Sequence, residues 1–100
     1  MRVVALRTLK EFVKRTSAYR DAREPTMTWY QQVLSADWPS PSETKRDLAS
    51  ASILKDGRVV FNIAGNKYRI VVWISYPYRV VYIRFIGTHR QYDQIDAQTI

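Results

Sequence analysis

Arg58-Val59-Val60-Phe61-Asn62-Ile63, Tyr68 to Tyr76 (Tyr-Arg-Ile-Val-Val-Trp-Ile-Ser-Tyr) and Arg79-Val80-Val81-Tyr82-Ile83-Arg84-Phe85-Ile86 are three alternating, β-branched runs lying close together. Ala64-Gly65-Asn66-Lys67 separates the first two, and Tyr76-Pro77-Tyr78-Arg79 joins the last two. Connections this short link antiparallel neighbours, so the three runs form a meander. With Gly65-Asn66 at the centre of one turn, Phe61 faces Ile70, Val59 faces Val72 and Asn62 faces Arg69. With Pro77-Tyr78 at the centre of the other, Ile74 faces Val81, Val72 faces Ile83 and Ile70 faces Phe85. This register gathers Val59, Phe61, Ile63, Ile70, Val72, Ile74, Val81, Ile83 and Phe85 on one apolar face, which must be covered. The other face carries Arg58, Asn62, Arg69, Trp73, Tyr82 and Arg84, with Trp73 opposite Tyr82 and Val71 opposite Arg84.

The first half of the chain supplies the cover. Met1 to Leu6 is short and β-branched, as suits an edge strand. Thr8 and Glu11 have capping-box spacing, and Leu6, Leu9, Phe12 and Val13 then share a helical face. A second amphipathic helix from near Asp21 to Leu34 buries Ala22, Pro25 or Thr26, Trp29, Tyr30 and Val33, with Pro25 tolerable only in its first turn. Ser40, Pro41 and Glu43 start a short third helix. The expected fold is α+β, with N-terminal helices packed on one face of an antiparallel meander. At 100 residues the chain supports one core, so residues 1–100 are read as one domain.

Composition narrows the chemistry. Apolar residues are 46% and charged residues 25%, the balance of a globular protein. The absence of cysteine excludes a disulfide scaffold, a thiolate zinc site and a cysteine nucleophile. One histidine, His89, excludes a multi-histidine metal site, so neither metal nor cofactor is expected. No apolar run is long enough to cross a membrane, and the charged N-terminus does not read as a secretory signal. A cytoplasmic location without a membrane partner is the expectation. Sixteen Lys and Arg against nine Asp and Glu give a net charge of +7. Between Gly57 and Tyr92 the charged residues are Arg58, Lys67, Arg69, Arg79, Arg84 and Arg90, with no acid among them. A one-signed field of this extent favours a polyanion, most simply nucleic acid.

Arginines beside aromatic rings on the non-helical face suit RNA, because guanidinium groups hold phosphates and rings stack on unpaired bases. The same pattern also describes a solvated sheet face with ordinary cross-strand pairs. The register sets Arg69 opposite Ile86 and Lys67 opposite Thr88. Gly87-Thr88-His89-Arg90-Gln91-Tyr92-Asp93 therefore leaves the sheet beside Asn66, Lys67 and Arg69. An imidazole among cations is a plausible centre for phosphodiester chemistry, which needs proton transfer at two oxygens and positive charge near the phosphorane. A lone histidine after a strand also serves as a polar turn residue, and Tyr92 with Asp93 also makes a structural pair.

Val59-Val60-Phe61-Asn62-Ile63, Gly65-Asn66-Lys67-Tyr68-Arg69-Ile70-Val71-Val72, Val81-Tyr82-Ile83-Arg84-Phe85-Ile86-Gly87-Thr88-His89 and Tyr92-Asp93-Gln94-Ile95-Asp96 together resemble the HigB family of bacterial toxins. The resemblance extends to Trp38, Pro41 and Ala51-Ser52. It implies a RelE-like fold and an mRNA interferase of a type II toxin–antitoxin system, cutting mRNA on translating ribosomes. The implied reaction is metal-independent attack of a ribose 2′-hydroxyl, leaving a 2′,3′-cyclic phosphate. The implied partner is a HigA-type helix-turn-helix antitoxin, with operator DNA bound only through the complex. Carried over by position, Arg69 contacts phosphate and His89 transfers a proton, with Tyr92 and Asp93 completing the catalytic group. Asn66, Lys67, Arg84, Trp73, Tyr82 and Arg58 then contact RNA. Two other classes fit the residues: a non-catalytic RNA-binding module, and an inert regulator docking a partner through exposed Leu9, Phe12, Trp29 or Trp38.

Overall fold

The computed structural model describes residues 1–100. Its elements run β1 (Arg2–Val4), α1 (Leu6–Lys14), a 3-10 helix (Ser17–Ala22), α2 (Arg23–Ser35), α3 (Pro41–Asp47), β2 (Ser52–Ile53), β3 (Arg58–Ile63), β4 (Tyr68–Ser75), β5 (Val80–Thr88) and α4 (His89–Tyr92). The sheet order is β1-β5-β4-β3-β2. All neighbours are antiparallel except β1, which runs parallel to β5. The outer strands β1 and β2 are three and two residues long.

Turn chemistry fixes the hairpins. Gly65 (φ 60°) and Asn66 (φ 79°) take the paired positive φ values of a primed turn, whose twist matches the strands it joins. Asp56 (φ 56°) and Gly57 (φ 80°) form a second such turn, between β2 and β3. Ser52-Ile53 is too short for its alternation to announce that hairpin. A Cβ at Gly57 would stand 2.7 Å from the Ile74 carbonyl, so close approach as well as positive φ calls for glycine there.

The β3–β4 register is the expected one, including Phe61 with Ile70 and Asn62 with Arg69. The β4–β5 register is as expected from Ser75 with Val80 to Val72 with Ile83, and then shifts by one. Beyond the shift Val71 faces Phe85, Ile70 faces Ile86, Arg69 faces Gly87 and Tyr68 faces Thr88. These pairs replace the expected Val71–Arg84, Ile70–Phe85, Arg69–Ile86 and Lys67–Thr88 pairings. The cause is that Ile83 and Ile86 both pack toward the helices. Residues three apart cannot share a face in a period-two strand, so one residue must be extra. Exposed Arg84 is that residue, and Phe85 passes to the opposite face.

On the helical side, Leu9, Phe12, Trp29, Val33 and Trp38 pack on Val59, Phe61, Ile63, Ile70, Val72, Ile74 and Val81. Trp29 and Trp38 close on the Phe61 ring at 5.3 and 6.3 Å between centroids. The Trp38 indole donates to Asp47 Oδ2 at 2.9 Å, satisfying its polar edge. Leu9, Phe12, Trp29 and Trp38 are at most 4% exposed and form core, which removes the docking patch they were considered for. Burying each such side chain stabilises the fold by about 1.5–3 kcal/mol. The first helix starts before Thr8: Ala5 is its N-cap and makes no side-chain cap bond. Glu11 pairs instead with Arg7 at 2.8 Å, an exposed i,i+4 contact.

The other sheet face is partly covered. Val60, Val71 and Ala97 form a second small core with Leu54, Phe85, Tyr92, Ile95 and Ile100 packed around it. The final residues thus fold back across the middle of the face expected to lie open. Because Arg84 alone lacks a cross-strand partner, a chain with Arg84 deleted is expected to retain the Val72–Ile83 and Val71–Phe85 pairs. Cross-strand amide NOEs would check this; transfer of Phe85 to the helical side would show that the register has another cause.

Candidate active site

His89 opens α4, a helix of one turn that is held at its start. The Thr88 hydroxyl accepts from the Gln91 N–H at 3.1 Å, and Gln91 Oε1 accepts from the Thr88 N–H at 2.9 Å. This reciprocal box has the spacing sought at Thr8 and found here instead. The His89 N–H donates to the Lys67 carbonyl at 3.2 Å, which ties α4 to the β3–β4 turn. Four residues on, Asp93 Oδ2 lies 3.2 Å from His89 Nδ1. That contact turns the Nδ1 edge of the ring toward the carboxylate, and both side chains remain about half exposed (49% and 59%).

Arg69 leaves β4 on the face away from the helices. Its guanidinium carbon sits 4.6 Å from the Tyr92 ring centroid, a cation–π arrangement. Its Nε is buried without a partner. Tyr92 is packed against the second core, so the ring is a fixed platform for the guanidinium.

Lys67 and Tyr68 converge on Asp21 of the 3-10 helix. The Lys67 ammonium pairs with one Asp21 oxygen, and the Tyr68 hydroxyl donates to the other at 2.5 Å. The Lys67 bond, followed by that of Tyr68, holds the Asp21 carboxyl below the usual carboxylate range. Burial, and then the hydrogen bond donated to Asp21, push the Tyr68 phenol up to about 12. Asn66 lies exposed in the adjoining turn. Asn66, Lys67, Arg69, His89, Tyr92 and Asp93 thus gather at one end of the sheet.

Trp73, Tyr82, Arg58 and Arg84 are not part of that group. The Trp73–Tyr82 pair lies four β4 residues from the Arg69–Gly87 pair, about 13 Å at ~3.3 Å per residue. The rings of Trp73 and Tyr82 stand 5.2 Å apart, and the Trp73 indole donates to the Asp56 carbonyl at 2.8 Å. The Arg58 guanidinium donates to the Ile100 carbonyl, and Arg84 Nε reaches the same oxygen at 3.4 Å. Sequence reading did not find Asp21, which lies 46 residues from Lys67 and follows no spacing rule. Thr88 and Gln91 did carry a signal, their i,i+3 capping pattern.

The site is an open surface. The hollow beside it, about 460 Å³, is lined by Leu54, Tyr92, Asp93, Ile95, Asp96, Ala97 and Gln98. Two carboxylates without a cation make that hollow a poor phosphate pocket, and the cations lie outside it. No three His, Cys, Asp or Glu side chains converge as a metal set. Chemically, the group offers an imidazole oriented by a carboxylate, beside a guanidinium fixed on a phenol ring.

Replacing Lys67 with Met, or Tyr68 with Phe, is expected to raise the Asp21 carboxyl toward its ordinary value, as read by NMR titration. A raised phenol pKa means that the folded state keeps the Tyr68 proton after the unfolded chain has lost it near pH ~10. Stability therefore falls as pH rises above ~10, and Tyr68→Phe should lessen that loss in alkaline melts, the remainder belonging to Tyr76, whose phenol burial also raises. Unchanged alkaline sensitivity would assign it to another group.

The chain matches the model of the HigB_toxin family, described as the RelE-like toxic component of a toxin–antitoxin system, over residues 22–95. A segment of 42 residues is 38% identical to the mRNA interferase toxin HigB of Escherichia coli (strain K12). It matches the mRNA interferase HigB of Escherichia coli O157:H7 and of Shigella flexneri equally. The segment covers 42% of this chain and 40% of the length of each relative. The family match includes β3, β4, β5, α4 and all the gathered side chains, and the architecture around them is α+β. The chain belongs to the HigB family of RelE-like toxic components of toxin–antitoxin systems.

Proposed function

We propose that residues 1–100 act as one toxin domain that cleaves mRNA on translating ribosomes. The observation carrying this reading is the seating of His89 against Asp93, beside Arg69 on the Tyr92 ring. In the proposed reaction, a ribose 2′-oxygen gives up its proton and bonds to the adjacent phosphorus. The bond from phosphorus to the 5′-oxygen then breaks, and that oxygen takes a proton. A 2′,3′-cyclic phosphate and a 5′-hydroxyl remain, without metal or cofactor. His89 transfers one of the protons, with Asp93 holding its ring. Arg69 stabilises the charge that accumulates on the phosphoryl oxygens, where a preplaced cation is worth most. Tyr92 fixes Arg69 and offers a ring for a base to stack on, at ~1–3 kcal/mol. Lys67 and Asn66 hold neighbouring phosphates. Arg58, Arg84, Trp73 and Tyr82, on the far side of the C-terminal cover, make a second, separate RNA contact.

The proposed inhibitory partner is a HigA-type helix-turn-helix antitoxin, through which the complex meets operator DNA. A net charge of +7 suits an acidic contact segment on such a partner.

The decisive experiment maps mRNA ends by primer extension after adding the purified protein to a translation reaction and, separately, to naked mRNA. Cuts in the translated sample alone would establish ribosome dependence. Cuts in both would make the protein a free endoribonuclease, and cuts in neither would leave an RNA-binding module or an inactive toxin. His89→Ala, with an unchanged melting curve, is expected to lower cleavage about 10²–10⁴-fold. Full activity in that variant would remove His89 from proton transfer.

A further inference from the structure

Tyr19 lies outside the active group, in the 3-10 helix, 72 residues from Gln91 in sequence, yet its hydroxyl accepts from Gln91 Nε2 at 3.0 Å. The opposite end of the same Gln91 amide is the acceptor that caps the start of α4. Tyr19 is itself immobilised. Its ring stacks on the buried Phe12 ring at 4.4 Å and 11°, and meets Tyr68 edge-on at 6.2 Å. Gly87 keeps the space that Gln91 occupies: a Cβ there would stand 2.7 Å from Gln91 Oε1 and 2.5 Å from the Phe85 ring. A four-residue helix has little stability of its own, because nucleating a turn costs more than one turn returns. The direction in which α4 points His89 therefore depends on what holds Gln91.

We propose that Gln91 and Tyr19 are positioning residues for the cleavage reaction, linking the start of α4 to the helical layer so that His89 and Asp93 meet Arg69 in the productive arrangement. This rests on the proposed nuclease reading. Neither side chain touches the RNA; both act through His89. Misplacing a reacting group by about 1 Å costs up to about a hundredfold in rate, whereas phosphate affinity, set by Arg69 and Lys67, is unaffected.

The test uses Tyr19→Phe, which removes one oxygen and keeps the stacked ring, together with Gln91→Ala and the double variant. Single-turnover cleavage would be measured on an mRNA that the wild-type protein cuts, and binding on the same RNA carrying 2′-O-methyl groups. With a single histidine in the chain, the imidazole 15N signals report His89 directly. The expected result for Tyr19→Phe is a rate about ten- to a hundredfold lower, unchanged binding of the methylated RNA, and shifted imidazole signals. The double variant should be no slower than Gln91→Ala, since both lose one shared bond. The proposal is overturned if Tyr19→Phe leaves rate and imidazole signals unchanged. It is equally overturned if the rate loss only follows melting temperature, as judged against Val33→Ala, a core variant remote from α4. If the wild-type protein cuts no RNA, the nuclease reading fails, and the imidazole signals alone decide whether Tyr19 positions His89.

Discussion

Ile83 and Ile86 must both face the helices, and a regular strand cannot satisfy them. The bulge at Arg84 resolves that conflict, and the arrangement of the candidate site follows from it. A straight pairing would bring His89 level with Asn66 at the tip of the turn. With one residue taken up, Thr88 pairs with Tyr68, and His89 bonds the Lys67 carbonyl. The helix carrying the imidazole thus starts alongside the cationic strand end, and core packing sets where His89 stands relative to Lys67 and Arg69.

The same bulge builds the rear of the site. Phe85, turned away from the helices, joins Val60, Val71 and Ala97, and Tyr92 packs on that cluster. Tyr92 in turn holds the Arg69 guanidinium. A small apolar core on the sheet's second face is therefore the footing of the cation, while the larger core on the first face anchors the 3-10 helix that carries Asp21. The candidate site sits where the two supports meet.

The sequence made β3 and β4 legible because each alternates without interruption and a Gly-Asn turn pins them. It also showed the gathering of Asn66, Lys67, Arg69, His89, Tyr92 and Asp93, since a shift of one residue does not move a loop out of reach. The shift itself was not legible: both Phe85 and Ile86 suit a core, and only the packed helices choose between them. Val60 and Val71, two apolar residues on the face expected to lie open, carried a hint of the cover that the arginines and aromatic rings around them masked. The Asp21–Lys67–Tyr68 cluster could not be foreseen, because a carboxylate in a helical segment gives no sign of which strand end it will meet. Thr8 and Glu11 matched a capping pattern, but β1 runs into α1 too directly for Thr8 to stand at its start.

The lengths of the outer strands have a further consequence. Unpaired strand edges invite pairing with other chains, and a long flat edge is a template for aggregation. Here every long strand is interior, and the borders are β1 and β2, of three and two residues. These brief borders pair only with Val80 to Tyr82 of β5 and with Val59 and Val60 of β3, so mutual repulsion at a net charge of +7 bears on the edge that the longer strands leave beyond them.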